Sequence, residues 1–76
     1  MWKQLNHWDS VSVGDKIRFR GTYPGNPEDA YTVVQTEAHY FQILPAVEKA
    51  ADEMRRKVVK YFEIGTYLKV EVWASN

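Results

Sequence analysis

A chain of 76 residues without a cysteine must be held together by burial alone, because neither a disulfide framework nor a thiolate metal site is open to it. Its ten acidic and ten basic side chains cancel, which argues against a domain whose main task is gripping nucleic acid, since phosphate contacts call for a basic excess. Apolar residues make up 45% of the chain and aromatics 14%, enough for one small core, while no run is long or apolar enough to span a bilayer or serve as a secretory signal.

The chain reads as a complete small gene product: one small globular domain over residues 1–76, cytoplasmic, with no internal repeat or low-complexity segment. Charge is uneven along it. Residues 1–27 carry a local +2, residues 28–53 a local −5 and residues 54–76 a local +3, which leaves room for separate patches.

Trp2, Leu5 and Trp8 recur every third residue, a spacing that suits a helical turn lying on the core. "DSVSVGD" follows as a turn, with Gly14 able to take a positive φ. From Lys16 to Arg20 the pattern alternates: Ile17 and Phe19 on one face, Lys16, Arg18 and Arg20 on the other, as in a half-buried strand. "YPGN" places Pro24 and Gly25 at the centre of a type II turn. Asn26 is suited to cap a single helical turn, with Pro27 at its first position and Glu28 and Asp29 at the positive end of its dipole.

Tyr31 to Glu37 and His39 to Leu44 read as two further strands, the second with His39, Phe41 and Ile43 on one face. Pro45 then opens an amphipathic helix. Val47, Ala50, Ala51, Met54, Val58, Tyr61 and Phe62 form an apolar stripe of helical period, and Asp52–Arg56 and Glu53–Lys57 are favourable i,i+4 pairs. Residues 58–64 suit either the end of that helix or a strand. Gly65 marks a break, and Tyr67 to Trp73 reads as the last strand.

The fold class expected from this order is α+β: a small antiparallel sheet, β-β-β-α-β, curled or forming a Src-homology-like partial barrel with one amphipathic helix. "VSVGDKIRF", a Gly-Asp turn followed by an alternating basic strand, resembles the first strand of Src-homology-like and KOW-like small barrels. The resemblance covers under a fifth of the chain. It lacks the acidic-aromatic peptide-binding motif of the former and the glycine pattern of the latter, so it bears on fold alone.

No catalytic signature stands out. His7, Asp9 and Ser10 contain the residue types of a nucleophilic site, but they crowd one turn, and adjacency in sequence is not the geometry such a site needs. His39 lies two residues from Glu37, yet no spacing supplies a further metal ligand. "GTYPG" lacks the Gly-Lys-Ser/Thr of a phosphate loop. Neither an enzymatic activity nor a metal or cofactor is therefore expected.

What remains is a surplus of aromatics: eleven residues, more than a core holding Trp8, Phe19, Phe41, Phe62 and one or two others needs. Exposed Tyr and Trp anchor protein–protein surfaces. The expected function is a small non-enzymatic protein-binding module, of the kind phages and mobile elements use to inhibit or redirect a host factor, acting as a monomer or small homo-oligomer. Its expected site is the loop bearing Tyr23, Asn26, Glu28, Asp29 and Tyr31. The alternative is an RNA- or DNA-binding small barrel using Lys16, Arg18, Arg20, Arg55 and Arg56, with a sponge for a small nucleotide ligand as a third reading on the same bases.

Overall fold

The computed structural model describes residues 1–20, 26–45 and 56–74. Six strands, Trp2–Gln4 (β1), Lys16–Phe19 (β2), Tyr31–Thr36 (β3), Tyr40–Leu44 (β4), Lys57–Lys60 (β5) and Val70–Trp73 (β6), form one antiparallel sheet in the order β1-β6-β2-β3-β4-β5. Single 3-10 turns at Pro27–Asp29 and Tyr61–Glu63 interrupt the connections. One face of the sheet carries the core: Ile17, Val33, Phe41, Ile43, Val59 and Val70 project from the strands and meet Leu5, Val11 and Ile64 from the connections. Each fully buried large side chain contributes roughly 1.5–3 kcal/mol.

The β2 alternation is reproduced in space. Ile17 is buried and Phe19 packs against the core, edge-on to Tyr31 at 5.4 Å, while Lys16 and Arg18 take the opposite face. The turn before β2 is closed twice: the Asp15 N–H donates to the Ser12 carbonyl (3.0 Å) and the Ser12 N–H to Asp15 Oδ2 (2.8 Å). Gly14 stands there at φ 98°, a region that side chains avoid, and this lets its N–H reach the Val33 carbonyl at 2.8 Å. After β2 the cap at Asn26 is formed, its Oδ1 accepting from the Glu28 N–H at 3.0 Å.

Two elements differ from the sequence reading. The chain start is a strand. Trp2 pairs with Trp73, their rings edge to face at 5.4 Å, and the terminal ammonium donates to the Ala74 carbonyl at 3.0 Å. A spacing of three residues also puts Trp2 and Leu5 on opposite faces of an extended chain. Leu5 enters the core and Trp2 does not.

The α+β class is also overturned: among the described residues the sheet is all antiparallel and there is no α-helix. Val47, Ala50, Ala51 and Met54 of the expected stripe lie outside the described residues; of the rest, Val58 lies in a strand and Tyr61 and Phe62 in the 3-10 turn that follows it. Lys57–Lys60 pairs with β4 in the register Tyr40↔Lys60, Phe41↔Val59, Gln42↔Val58 and Ile43↔Lys57. Two adjacent β-branched valines favour that pleated ladder, and it buries Val59 (2% exposed) while leaving Val58 half exposed (52%). Arg56 and Lys57 accordingly turn to the sheet. Arg56 Nη1 donates to Gln35 Oε1 (3.2 Å) and Gln42 Oε1 (3.4 Å), and Lys57 Nζ donates to the Tyr31 hydroxyl (3.2 Å). No helix of the described residues is long and apolar enough to cross a membrane.

The strand and the helical stripe make opposite demands on the two valines. Val59→Ala is expected to cost about 2 kcal/mol, the loss of two buried methyl groups plus some cavity. Val58→Ala should stay within about 0.5 kcal/mol. Urea midpoints decide the matter, and the reverse order would overturn the assignment of β5.

Candidate binding cleft

Three chain segments meet beside the core. The Asn6–Asp9 turn is fixed by the Asn6 N–H donating to Asp9 Oδ2 (2.8 Å) and the Asp9 N–H donating to the Asn6 carbonyl (2.9 Å). The β3–β4 connection is closed by the Glu37 N–H donating to the Tyr40 carbonyl at 2.8 Å. The 3-10 turn after β5 joins both through Tyr61. Its N–H donates to the His39 carbonyl at 3.0 Å, and its hydroxyl accepts from the Val11 N–H at 3.2 Å. Its ring rests on Phe41 at 5.3 Å.

Between these segments lies a cleft of about 550 Å³ lined by His7, Trp8, Asp9, Ser10, Glu37, Ala38, His39, Tyr61 and Phe62. Its volume is within the usual range for ligand-binding clefts, roughly 300–1,000 Å³. Trp8 is 72% exposed and Phe62 65% exposed. Both were expected in the core, and both instead stand at the surface where the cleft opens. The His7 imidazole lies edge-on to the Trp8 ring at 4.7 Å.

The cleft therefore gathers the residues that sequence alone offered as two separate chemical possibilities, His7–Asp9–Ser10 and Glu37–His39. Their contacts are structural. Asp9 holds its own turn, and Glu37 Oε2 accepts from Gln35 Nε2 at 2.9 Å. Among the described residues no three His, Asp or Glu side chains are grouped to hold a metal ion. His39, expected within the strand and on one face with Phe41 and Ile43, is exposed and lies just before β4.

The residues expected in the loop site serve mainly to shape the chain. Asn26 caps its turn, and Tyr31 packs on Phe19 and lies under the Lys57 ammonium, 5.2 Å from the ring centroid. Glu28 and Asp29 are exposed at the start of the 3-10 turn, and Tyr23 lies outside the described residues. Of the basic set, Arg18 pairs with Glu71 across the strands, Nε to Oε1 at 2.6 Å, and stacks over the Trp2 ring at 4.4 Å. Lys16 Nζ donates to Thr32 Oγ1 at 3.0 Å, and Arg56 is held by Gln35 and Gln42. Arg20 is exposed, and Arg55 lies outside the described residues. The sheet thus places Lys16, Arg18 and Arg56 on one face, with Arg18 already neutralised by a neighbouring carboxylate.

Comparison of the chain with protein-family models, with curated proteins and with solved structures finds no match.

The geometry separates the residues that build the cleft from those it presents. Tyr61→Phe keeps the ring but leaves the partly buried Val11 N–H without its acceptor, and is expected to cost about 1–3 kcal/mol. Trp8→Ala should change stability by no more than about 0.5 kcal/mol. Chemical denaturation of the two variants tests both values, and a large loss on Trp8→Ala would return Trp8 to the core.

Proposed function

We propose that the protein is a non-enzymatic binding module that docks another protein in the cleft between the Asn6–Asp9 turn, the β3–β4 connection and the Tyr61–Glu63 turn. One observation carries this reading: Trp8 and Phe62, two of the larger side chains in the molecule, flank a concave surface at 72% and 65% exposure. An aromatic side chain in a core buries about 150–250 Å², and leaving two of them in water forgoes that gain in a chain with a small core. Where exposed aromatics border a concavity, they act as anchors that a partner's pocket or side chains cover. The scaffold beneath them is fixed by backbone pairing and by the Tyr61 hydrogen bonds, so docking requires little ordering of the chain.

This reading keeps the class of function expected from the aromatic surplus and moves the site from the 22–30 loop to the cleft. We propose further, from the sequence alone, that the module acts in the cytoplasm and that such docking inhibits or redirects its partner. The nucleic-acid alternative draws less support, because Arg18 is committed to Glu71 and Trp2 and, among the described residues, no lysine or arginine lines the cleft beside Trp8 and Phe62.

Affinity capture from lysate, with and without nuclease, compares the wild type with a Trp8→Ser/Phe62→Ser double variant and a Lys16→Ala/Arg20→Ala double variant. The expected result is a nuclease-resistant protein partner retained by the second variant and lost by the first. Nuclease-sensitive capture, lost with Lys16→Ala/Arg20→Ala, would overturn the proposal in favour of nucleic acid.

A further inference from the structure

Resting on that docking site, the geometry points to the chemistry of its occupant: a peptide segment of the partner that presents an arginine or lysine next to an apolar side chain. Among the described residues the lining of the cleft contains two carboxylates, Asp9 and Glu37, two imidazoles, His7 and His39, and no lysine or arginine. Each carboxylate accepts one hydrogen bond from its own neighbourhood, from the Asn6 N–H and from Gln35 Nε2. A carboxylate has about four lone-pair sites, so one such bond leaves capacity for a charged donor. Two aromatic faces, Trp8 and Phe62, stand beside them.

Elsewhere the same molecule shows what completes such an arrangement. On the outer face of the sheet the Arg18 guanidinium lies over the Trp2 ring at 4.4 Å and meets the Glu71 carboxylate at 2.6 Å. At the β3–β5 side the Lys57 ammonium lies 5.2 Å from the centre of the Tyr31 ring. A cation is drawn to an aromatic face by the ring quadrupole, and a neighbouring carboxylate adds direct attraction. Among the described residues the cleft supplies the tryptophan and the carboxylates of that grouping and neither a lysine nor an arginine. A partner carrying the missing charge satisfies both, while its adjacent apolar side chain covers Phe62. An acidic segment would meet like charge at Asp9 and Glu37, a repulsion that confers specificity.

Selection of short randomised peptides displayed against the intact protein, followed by titration of the enriched sequences, tests this. The expected outcome is enrichment of arginine or lysine beside an apolar residue. Binding of those peptides should weaken roughly tenfold or more, about 1.4 kcal/mol per tenfold step, on combining Asp9→Asn with Glu37→Gln. Those substitutions keep the local hydrogen-bond acceptors and remove only charge. Affinity should also fall between about 0.1 M and 1 M salt, as the screening length shrinks from about 10 Å to about 3 Å. Enriched peptides without basic residues, indifferent to the charge-removing pair but lost with Trp8→Ser, would overturn the cationic occupant and leave the docking site standing. Failure to enrich any peptide that depends on Trp8 and Phe62 would overturn both. Self-association of the protein that disappears with Trp8→Ser would assign the cleft to a second copy and likewise overturn the inference.

Discussion

Tyr61 ties the functional surface to the fold. Its backbone N–H donates to the His39 carbonyl, its hydroxyl accepts from the Val11 N–H, and its ring packs on the buried Phe41. One residue thus joins the β3–β4 connection through its backbone, and the segment after the Asn6–Asp9 turn and the core through its side chain. It reaches that position because Lys57–Lys60 runs as a strand along β4, with Val59 opposite Phe41 and Lys60 opposite Tyr40. A helix over the same residues would present Tyr61 and Phe62 to the core together. The strand followed by a single 3-10 turn instead leaves Tyr61 half-buried and Phe62 exposed. Cleft and strand assignment therefore stand together.

Electrostatics divide the surface into two kinds. On the outer face of the sheet the cations are already answered, Arg18 by Glu71 and Trp2, Lys16 by Thr32, and Arg56 by two glutamines. The one charge pair among these, Arg18 with Glu71, adds only about 0.2–1 kcal/mol, and it also lowers the potential that a phosphate backbone would seek, whereas Lys16 and Arg56 keep their charge. The cleft is the reverse: Asp9 holds its own turn, Glu37 meets only the Gln35 amide, Trp8 and Phe62 are in water, and among the described residues no lysine or arginine lines it. A zero net charge conceals this contrast, which depends on where the sheet places each group.

The parts of the fold legible in the sequence are those set by local rules. The Lys16–Phe19 alternation, the Asn26 cap before Pro27 and the positive φ at Gly14 each depend on a few adjacent residues, and each is found as read. The start of the chain and residues 58–64 are ambiguous for a physical reason. Short apolar runs satisfy a helical period and a pleated ladder equally well, and only the partner strand decides between them. Trp2 found Trp73, and Val59 found Phe41, both distant in the chain. The cleft was illegible for the same reason. Its lining comes from residues 7–10, 37–39 and 61–62, which no local spacing connects, and the size of Trp8 and Phe62 argued for the core. The one available hint was that eleven aromatics exceed what so small a core can bury.

The three tryptophans provide the most direct test of the account. Trp2 and Trp73 stack on each other at the β1–β6 pair, whereas Trp8 stands alone of the three at the cleft. Their indole N–H groups can be followed separately in a nitrogen–proton correlation spectrum while a basic, apolar-flanked peptide is titrated into the protein. The account predicts a saturable shift of the Trp8 indole resonance, with the backbone amides of residues 37–39 and 61–62 moving alongside it and Trp2 and Trp73 unchanged. Shifts confined to Trp2, Trp73 and the β1–β6 strands, with Trp8 unmoved at saturation, would contradict it.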